Sequence, residues 1–485
     1  MTVATPSRLP TSRLLMSAVY FCLLIIYLVS IGLPAAHGDT SAAVDFSPCH
    51  IDGIEAQAKC TTLSVPFDWS QTDSETFELF VAVIPPSGGQ ASAAPLYLLA
   101  GGPGQAASDQ GRLVETVLSK ARRGREVILV DQRGTGRSAP FNCMMPSDPN
   151  AAGDAVAKAC LAQTDNDPRW FHSDAFIDDL HAVRNALGHE KINLWGGSYG
   201  TRAALLYLRK YEHTVRSVIL DAVAAPNTAF VARAKLSAGE SLNRLLTACE
   251  SDPICRARFD TLRDDLDAIV EDLGANPRAV TINGETFTVD ASIFMNALRN
   301  GLYGRDSTAW IPYVISEFAR GNDRPWKALG DVGGSISEGI SLGTMLSVMC
   351  AEEIPRSLGQ NELASPTAFN LTDLSFWRDA CRVWPSASID DNYAADVVSD
   401  VPALLLSGAL DPVTPPDYGE IAARGLSRSK HLIAEHNGHI TSGYSCAPTL
   451  ISEFLETTDP QALDDSCLNR VGQAPYLLTL AGPNP

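Results

Sequence analysis

The 485 residues contain no C-x-x-C pair and no H-E-x-x-H helix, which removes two local signatures of a metal site and leaves metal binding the weaker reading of the cysteines. Basic residues are scarce: 37 Lys and Arg stand against 56 Asp and Glu, a net charge of −19. That balance argues against a nucleic-acid partner and reads as surface solubility. Beyond residue 33 no stretch approaches 18 consecutive apolar residues, so no membrane contact is expected outside the N-terminal leader. Internal repeats and low-complexity tracts are missing too, which excludes solenoid architectures. With 45% hydrophobic and 19% charged residues, what remains is a globular chain able to bury a large core.

The first forty residues differ from the rest. Arg8 and Arg13 precede an apolar run over 14–33, and Pro34-Ala35-Ala36-His37-Gly38 follows. This is the order of an export signal, with Ala36 and Gly38 as the small residues of a cleavage site, although a run this long can also stay uncut as an anchor. Cleavage would remove two arginines and no acid, taking −19 to −21. Eleven cysteines suit a secreted or periplasmic destination, because Cys22 lies in the leader and an even number is left for an oxidising compartment. Neighbours would close short loops: Cys49 with Cys60, Cys143 with Cys160, Cys249 with Cys255, Cys350 with Cys381, and Cys446 with Cys467. Spacing alone leaves the connectivity open.

From about residue 60 to 226, short β-branched runs alternate with helical patterns, the rhythm of a mostly parallel sheet covered by helices. Strands are expected over 77–84, 96–100, 126–131, 191–195 and 217–221, and helices over 113–120, 175–187 and 201–211. After Pro226 the texture turns helical, over 230–249, 256–273, 291–303 and 307–320, with a hairpin over 280–289 around Asn283-Gly284. The αβ rhythm resumes at 401–407 and 430–435. The expected division is a leader over 1–38, a first part of the sheet domain over 39–226, a helical cap inserted over 227–395, and the rest of the sheet domain over 396–485.

Chemistry concentrates where the 191–195 strand meets the following helix through Gly196-Gly197-Ser198-Tyr199-Gly200. This is a nucleophile elbow, the mark of an α/β-hydrolase fold: a turn so tight that glycines must flank the strained serine. A second G-x-S-x-G at Gly339-Ile340-Ser341-Leu342-Gly343 lacks a preceding strand, so Ser198 is the expected nucleophile. A serine hydroxyl needs a base beside it, and in this fold the chain order is serine, acid, histidine. His439, after Gly438 in the loop HNGHI, is the expected base, with His436 as alternative and His431 placed within a strand. Asp411, just past the strand in VPALLLSGALDPVTPP, is the expected acid, with Asp221 as runner-up. Two backbone donors should stabilise the oxyanion: the N–H of Tyr199, and one from Gly102, with Gly101 second, in Gly101-Gly102-Pro103-Gly104. No cofactor is required by this chemistry.

With GGPG at 101–104, DQRGTGRS at 131–138, GGSYG at 196–200, GALDPVTP at 408–415 and NGH at 437–439, the chain resembles the proline iminopeptidase and tripeptidyl aminopeptidase family. The tail from Val401, with Cys446 and Cys467, looks like the C-terminal part of secreted tripeptidyl aminopeptidases. The resemblance implies an α/β hydrolase with a helical cap that releases short peptides from free N-termini through an acyl-enzyme. It also covers relatives that cleave esters. It further implies acids that hold the substrate's amino group, and Glu352 and Glu353, just after Cys350, match that position. Ala100 stands where many relatives have histidine. Arg133 and Arg137 are expected to brace loops near the site. A carboxylesterase, and a binding protein that has lost catalysis, are the competing readings.

Overall fold

The computed structural model describes residues 1–2, 44–144, 146, 151–282, 285–337, 339–357 and 374–482. The apolar run and cleavage positions of the expected leader lie outside these, as do Asn283 and Gly284. Among the described residues no helix is long and apolar enough to cross a membrane.

From residue 44 onward the chain is built on one nine-stranded sheet. In chain order its strands are β1 (Ser47–Cys49), β2 (Ala58–Pro66), β3 (Thr76–Ile84), β4 (Leu96–Leu99), β5 (Val127–Val130), β6 (Ile192–Gly197) and β7 (Val215–Asp221), with β10 (Ala403–Gly408) and β11 (Ser429–Ala434) added after a long insertion. Across the sheet the order is β1-β2-β3-β5-β4-β6-β7-β10-β11. The β1–β2, β2–β3 and β3–β5 pairs are antiparallel. The five pairs from β5–β4 to β10–β11 are parallel. Every residue of β4, β5, β6 and β10 is buried, as a parallel sheet covered on both faces requires. Side-chain alternation divides each strand between two cores: Tyr97 and Leu99 pack with Leu194 and Leu205 on one face, Leu96 and Leu98 with Trp195 and Phe454 on the other.

The parallel strands point the same way, so their C-terminal ends share one edge. From that edge leave the loops carrying Gly101–Gly104 after β4, Ser198 after β6, Asp411 after β10 and His439 after β11. In open α/β sheets this is the edge where ligands bind.

Between β7 and β10 the chain forms helices, beginning with Phe230–Ser251, and a two-stranded hairpin of β8 (Arg278–Ile282) and β9 (Glu285–Val289). This region has its own core around Leu242, Phe294, Phe318 and Trp326, joined by Tyr476 and Leu478 from the C-terminal tail. The tail is tied there by Leu477 N–H to the Ala309 carbonyl at 3.1 Å and Arg258 Nε to the Leu478 carbonyl at 3.2 Å. Two helices expected to be continuous are broken. The span over 256–273 divides into Pro253–Arg258, capped by the Asp252 carboxylate, and Leu262–Ala275. The span over 307–320 divides into Arg305–Thr308 and Ile311–Ala319, because Pro312 fits only a first helical turn.

Five disulfides form: Cys49–Cys60, Cys143–Cys160, Cys249–Cys255, Cys350–Cys381 and Cys446–Cys467.

Candidate active site

Ser198 sits between β6 and the helix Tyr199–Tyr211 with φ 55° and ψ −123°, a left-handed-side conformation that a side chain seldom adopts. The neighbouring glycines explain how the turn closes. A Cβ on Gly196 would lie 2.3 Å from the Gly200 carbonyl oxygen, and one on Gly200 would lie 2.1 Å from that of Leu99. The Ser198 N–H donates to the Asp221 carbonyl at 2.8 Å, and Thr201 Oγ1 donates to the Ser198 carbonyl at 2.6 Å. The hydroxyl is thereby presented at a helix N-terminus, facing a cavity of about 560 Å³ that His439 also lines.

Asp411 is buried, and its carboxylate accepts from the N–H groups of Val413 and Thr414 at 2.8 and 2.9 Å and from Thr414 Oγ1 at 2.7 Å. His439 Nδ1 lies 2.8 Å from Asp411 Oδ2. A carboxylate at that distance accepts a hydrogen bond from Nδ1–H and so leaves Nε2 as the acceptor, the tautomer a general base needs. Burial works against the charged carboxylate, but the imidazole and the Thr414 bonds outweigh it and hold the Asp411 pKa below the usual range. His439 is further fixed by its N–H to the Tyr303 carbonyl at 2.8 Å and by edge contact with the Tyr303 ring, centroids 5.0 Å apart. Gly438 permits this approach, since a Cβ there would meet the Leu302 carbonyl at 2.2 Å.

The other acid and His431 are engaged elsewhere. Asp221 accepts from the N–H groups of Thr441 and Ser442, both at 2.7 Å, so it clamps the backbone just past His439 and does not touch the imidazole. His431 Nε2 meets Ser407 Oγ at 2.9 Å, and burial lowers its pKa to about 4. His436 is not among the residues lining the cavity.

Gly101 and Gly102 line the same cavity as Ser198 and His439. Gly102 and Gly104 have φ of 105° and 106°, flanking a cis Pro103, and a Cβ on Gly101 would touch the Gly197 carbonyl and Ser198 Cβ at 3.2 and 3.3 Å. Bare backbone therefore stands beside the serine. As first residue of its helix, Tyr199 has an N–H without an intrahelical acceptor. The second G-x-S-x-G supports this loop: Ser341 N–H donates to the Gly104 carbonyl at 2.9 Å, and Ile340 bridges to Gln105. Arg133 is buried and holds Asp179 through two bonds of 2.6 and 2.7 Å, while Arg137 lies over the Phe80 ring.

Glu352 and Glu353, the acids expected to hold the substrate's amino group, are bonded within the protein. Both are buried in a π-helical turn, Met349–Glu353, and neither lines the cavity. Glu352 accepts from Ser173 N–H and Oγ at 2.6 and 2.8 Å and from the Tyr393 hydroxyl. Glu353 pairs with Arg202 at 3.1 Å and Arg356 at 2.9 Å. Glu353 thus has its charge paired and Glu352 its oxygens hydrogen-bonded, and Ser173 Oγ also meets the Tyr199 hydroxyl at 2.7 Å, which ties this turn to the back of the elbow. Sequence reading missed Thr414, Tyr303 and Arg299. Thr414 had a signal, a threonine three residues after an acid in a turn; the other two are cap residues that only the tertiary structure brings to the cavity. Among the described residues no cluster of His, Cys, Asp or Glu could hold a metal ion.

Residues 94–245 match the alpha/beta hydrolase fold family and residues 370–467 match the TAP-like protein family. The chain has the α/β hydrolase fold, with a TAP-like match in its C-terminal part. It is 23% identical to "Serine protease Hip1" of Mycobacterium tuberculosis, over 86% of this chain and 90% of that protein. It is 25% identical to "Tripeptidyl aminopeptidase" of Streptomyces lividans over 40% of each chain, and 35% identical to "Proline iminopeptidase" of Lactobacillus delbrueckii subsp. bulgaricus over 27% of this chain and 37% of that one. Among solved structures, the proline iminopeptidase of Mycobacterium smegmatis aligns with 83% of this chain and 100% of its own, at 16% identity and a TM-score of 0.37. The chain is thus a hydrolase, similar to serine proteases and aminopeptidases.

Proposed function

We propose that this hydrolase is an exported serine exopeptidase in which Ser198 attacks a peptide carbonyl, His439 takes its proton and Asp411 holds the imidazole. The backbone N–H groups of Tyr199 and Gly102 receive the oxyanion, the leaving amine takes the proton back from His439, and water then releases the acyl group by the same route. The observation that carries this reading is the 2.8 Å bond from His439 Nδ1 to Asp411, in a cavity lined by both His439 and Ser198. A cavity of about 560 Å³ suits a few residues of peptide. The names of the relatives support a peptidase, and the tripeptidyl aminopeptidase and proline iminopeptidase among them support cutting near a free N-terminus. With Glu352 and Glu353 engaged elsewhere, side-chain carbonyls such as those of Gln105 and Asn300 remain to receive the substrate ammonium. Five disulfides support an oxidising destination.

A carboxylesterase is the second reading, favoured by one observation: none of the described cavity-lining residues is acidic. A fluorophosphonate probe and a panel of chromogenic amides of one to four residues, each with free and blocked N-terminus, test the proposal. Labelling at Ser198 with preference for free N-termini is the expected result. Equal cutting of blocked amides removes the aminopeptidase part, and ester turnover without any amide turnover replaces it with the esterase.

A further inference from the structure

We infer that Arg299 makes this cavity selective for substrates carrying a carboxylate close to the bond that is cut. The inference rests on the serine-hydrolase reading and adds a substrate class to it. Arg299 lies in the last turn of the cap helix Ala291–Gly301 and lines the same cavity as Ser198 and His439. Its guanidinium stands 5.6 Å from the centroid of the Tyr303 ring and donates to the Tyr303 hydroxyl at 3.3 Å. That ring is the one that contacts His439, so a single aromatic side chain separates the cation from the candidate base.

Several buried arginines have acids of the protein for partners. Arg133 pairs with Asp179, and Arg202 and Arg356 share Glu353. Arg299, the arginine that lines this cavity, has no ion pair among the described residues, and its Nε is shielded from solvent without a hydrogen-bond partner. In a chain of net charge −19, an arginine without an acid, inside a cavity whose other polar side chains include the neutral Gln105, Gln110 and Asn300, leaves donors for a ligand to satisfy. A guanidinium in a partly dehydrated site binds carboxylates through charge-assisted, often two-pronged hydrogen bonds. The carboxylate comes from one of two sources: an acidic side chain next to the cut bond, or the free C-terminus of a short peptide.

Matched substrate pairs separate the sources and test the idea: peptides with Glu or Gln at each position flanking the cut, peptides with a free or amidated C-terminus, and a nitrophenyl ester bearing a carboxylate beside its methyl-ester counterpart. The expected result for the wild type is a kcat/KM ratio of about 10 to 100 in favour of the carboxylate in at least one pair, the scale of a charge-assisted hydrogen bond. Arg299→Gln should bring that ratio close to one, whereas Arg299→Lys should keep part of it, having the charge without the fork. A merely structural role would lower both members of a pair together and leave the ratio alone. A wild-type ratio near one in every pair, or a ratio unchanged in Arg299→Gln, overturns the inference. The ester pair reads Arg299 even if no peptide is cut. Fluorophosphonate labelling run alongside keeps the two ideas apart: an unlabelled wild type sinks the serine-hydrolase reading itself, and a labelled enzyme indifferent to the carboxylate sinks only the role of Arg299.

Discussion

The chain contains G-x-S-x-G twice, and the two copies do unrelated work. In Gly196–Gly200 the serine is forced to φ 55° between a buried strand and a helix, and both glycines are there because backbone carbonyls fill the space a Cβ would need. In Gly339–Gly343 the serine has an ordinary φ of −70° at the start of the helix Leu342–Val348. There the first glycine supplies a φ of 84°, and the second leaves room for the Phe141 ring, whose Cδ2 would lie 2.2 Å from a Cβ. Five residues of one pattern thus give a strained, presented hydroxyl in one setting and a brace behind a loop in the other. In the proposed mechanism reactivity comes from the strand-turn-helix geometry and from an imidazole lining the same cavity, not from the pattern.

Exchanging the serines for alanine is the most direct way to break this contrast. Ser198→Ala should lower kcat/KM by about 10⁴-fold or more and abolish fluorophosphonate labelling, because the covalent route is lost. Its unfolding temperature should stay close to that of the wild type. An active Ser198→Ala enzyme would mean that the nucleophile lies elsewhere.

The acids around the first copy sharpen the contrast. Asp411→Asn keeps the shape but can no longer hold the Nδ1–H tautomer, so kcat should fall about 10³- to 10⁴-fold with little change in stability. Asp221→Asn replaces an acceptor of two backbone N–H groups by an amide with one oxygen, so one buried donor loses its partner. That should cost about 1–3 kcal/mol of stability in urea unfolding and reduce kcat less than Asp411→Asn does. Steady-state kinetics and unfolding on both variants check the assignment, and the reverse ranking of kcat would make Asp221 the acid.

The frame around these residues was legible in the sequence because it rests on local rules. The buried runs of β4, β5 and β10 and the glycines of the elbow carry their reasons in their neighbours. The chain order of serine, acid and histidine pointed to the three residues that the structure brings to one sheet edge. Strand β2 was not singled out: its exposed positions are Lys59, Thr62 and Ser64, and the apolar residues between them are too few for a clear period. The breaks at 259–261 and before Ile311 depend on caps and a proline that periodicity does not weigh. The partners of Glu352 and Glu353 were not legible for a different reason: a charged pair in sequence looks free, and only the fold brings Arg202 and Arg356 to Glu353 and Ser173 and Tyr393 to Glu352.

The glycines of the two copies should also differ under substitution. Gly200→Ala places its Cβ against the Leu99 backbone, whereas Gly343→Ala meets the Phe141 ring, packed against Phe171 and Trp384, so that side chains and not a strand's backbone have to shift. Overpacking of this kind costs about 1–3 kcal/mol, and Gly200→Ala should sit at or above the upper end while losing activity through distortion of the elbow. Gly343→Ala should sit lower and keep its fluorophosphonate labelling. Thermal unfolding and labelling rates measure both, and equal loss of labelling would show that the second copy reaches the chemistry more directly than its contacts imply.

Ser341→Ala should show the smallest effect of all. Its contribution to the loop runs through its backbone N–H, donated to the Gly104 carbonyl at 2.9 Å, and alanine keeps that bond. Its side chain caps no N–H of the helix it precedes, so the usual penalty of about 1 kcal/mol for losing a capping serine does not apply. Stability should move by no more than about 0.5 kcal/mol, with labelling at Ser198 retained. A Ser341→Ala protein that no longer reacts with the probe would reverse the assignment of the two copies, because a bystander hydroxyl has no way to remove the reactivity of a serine held on another strand.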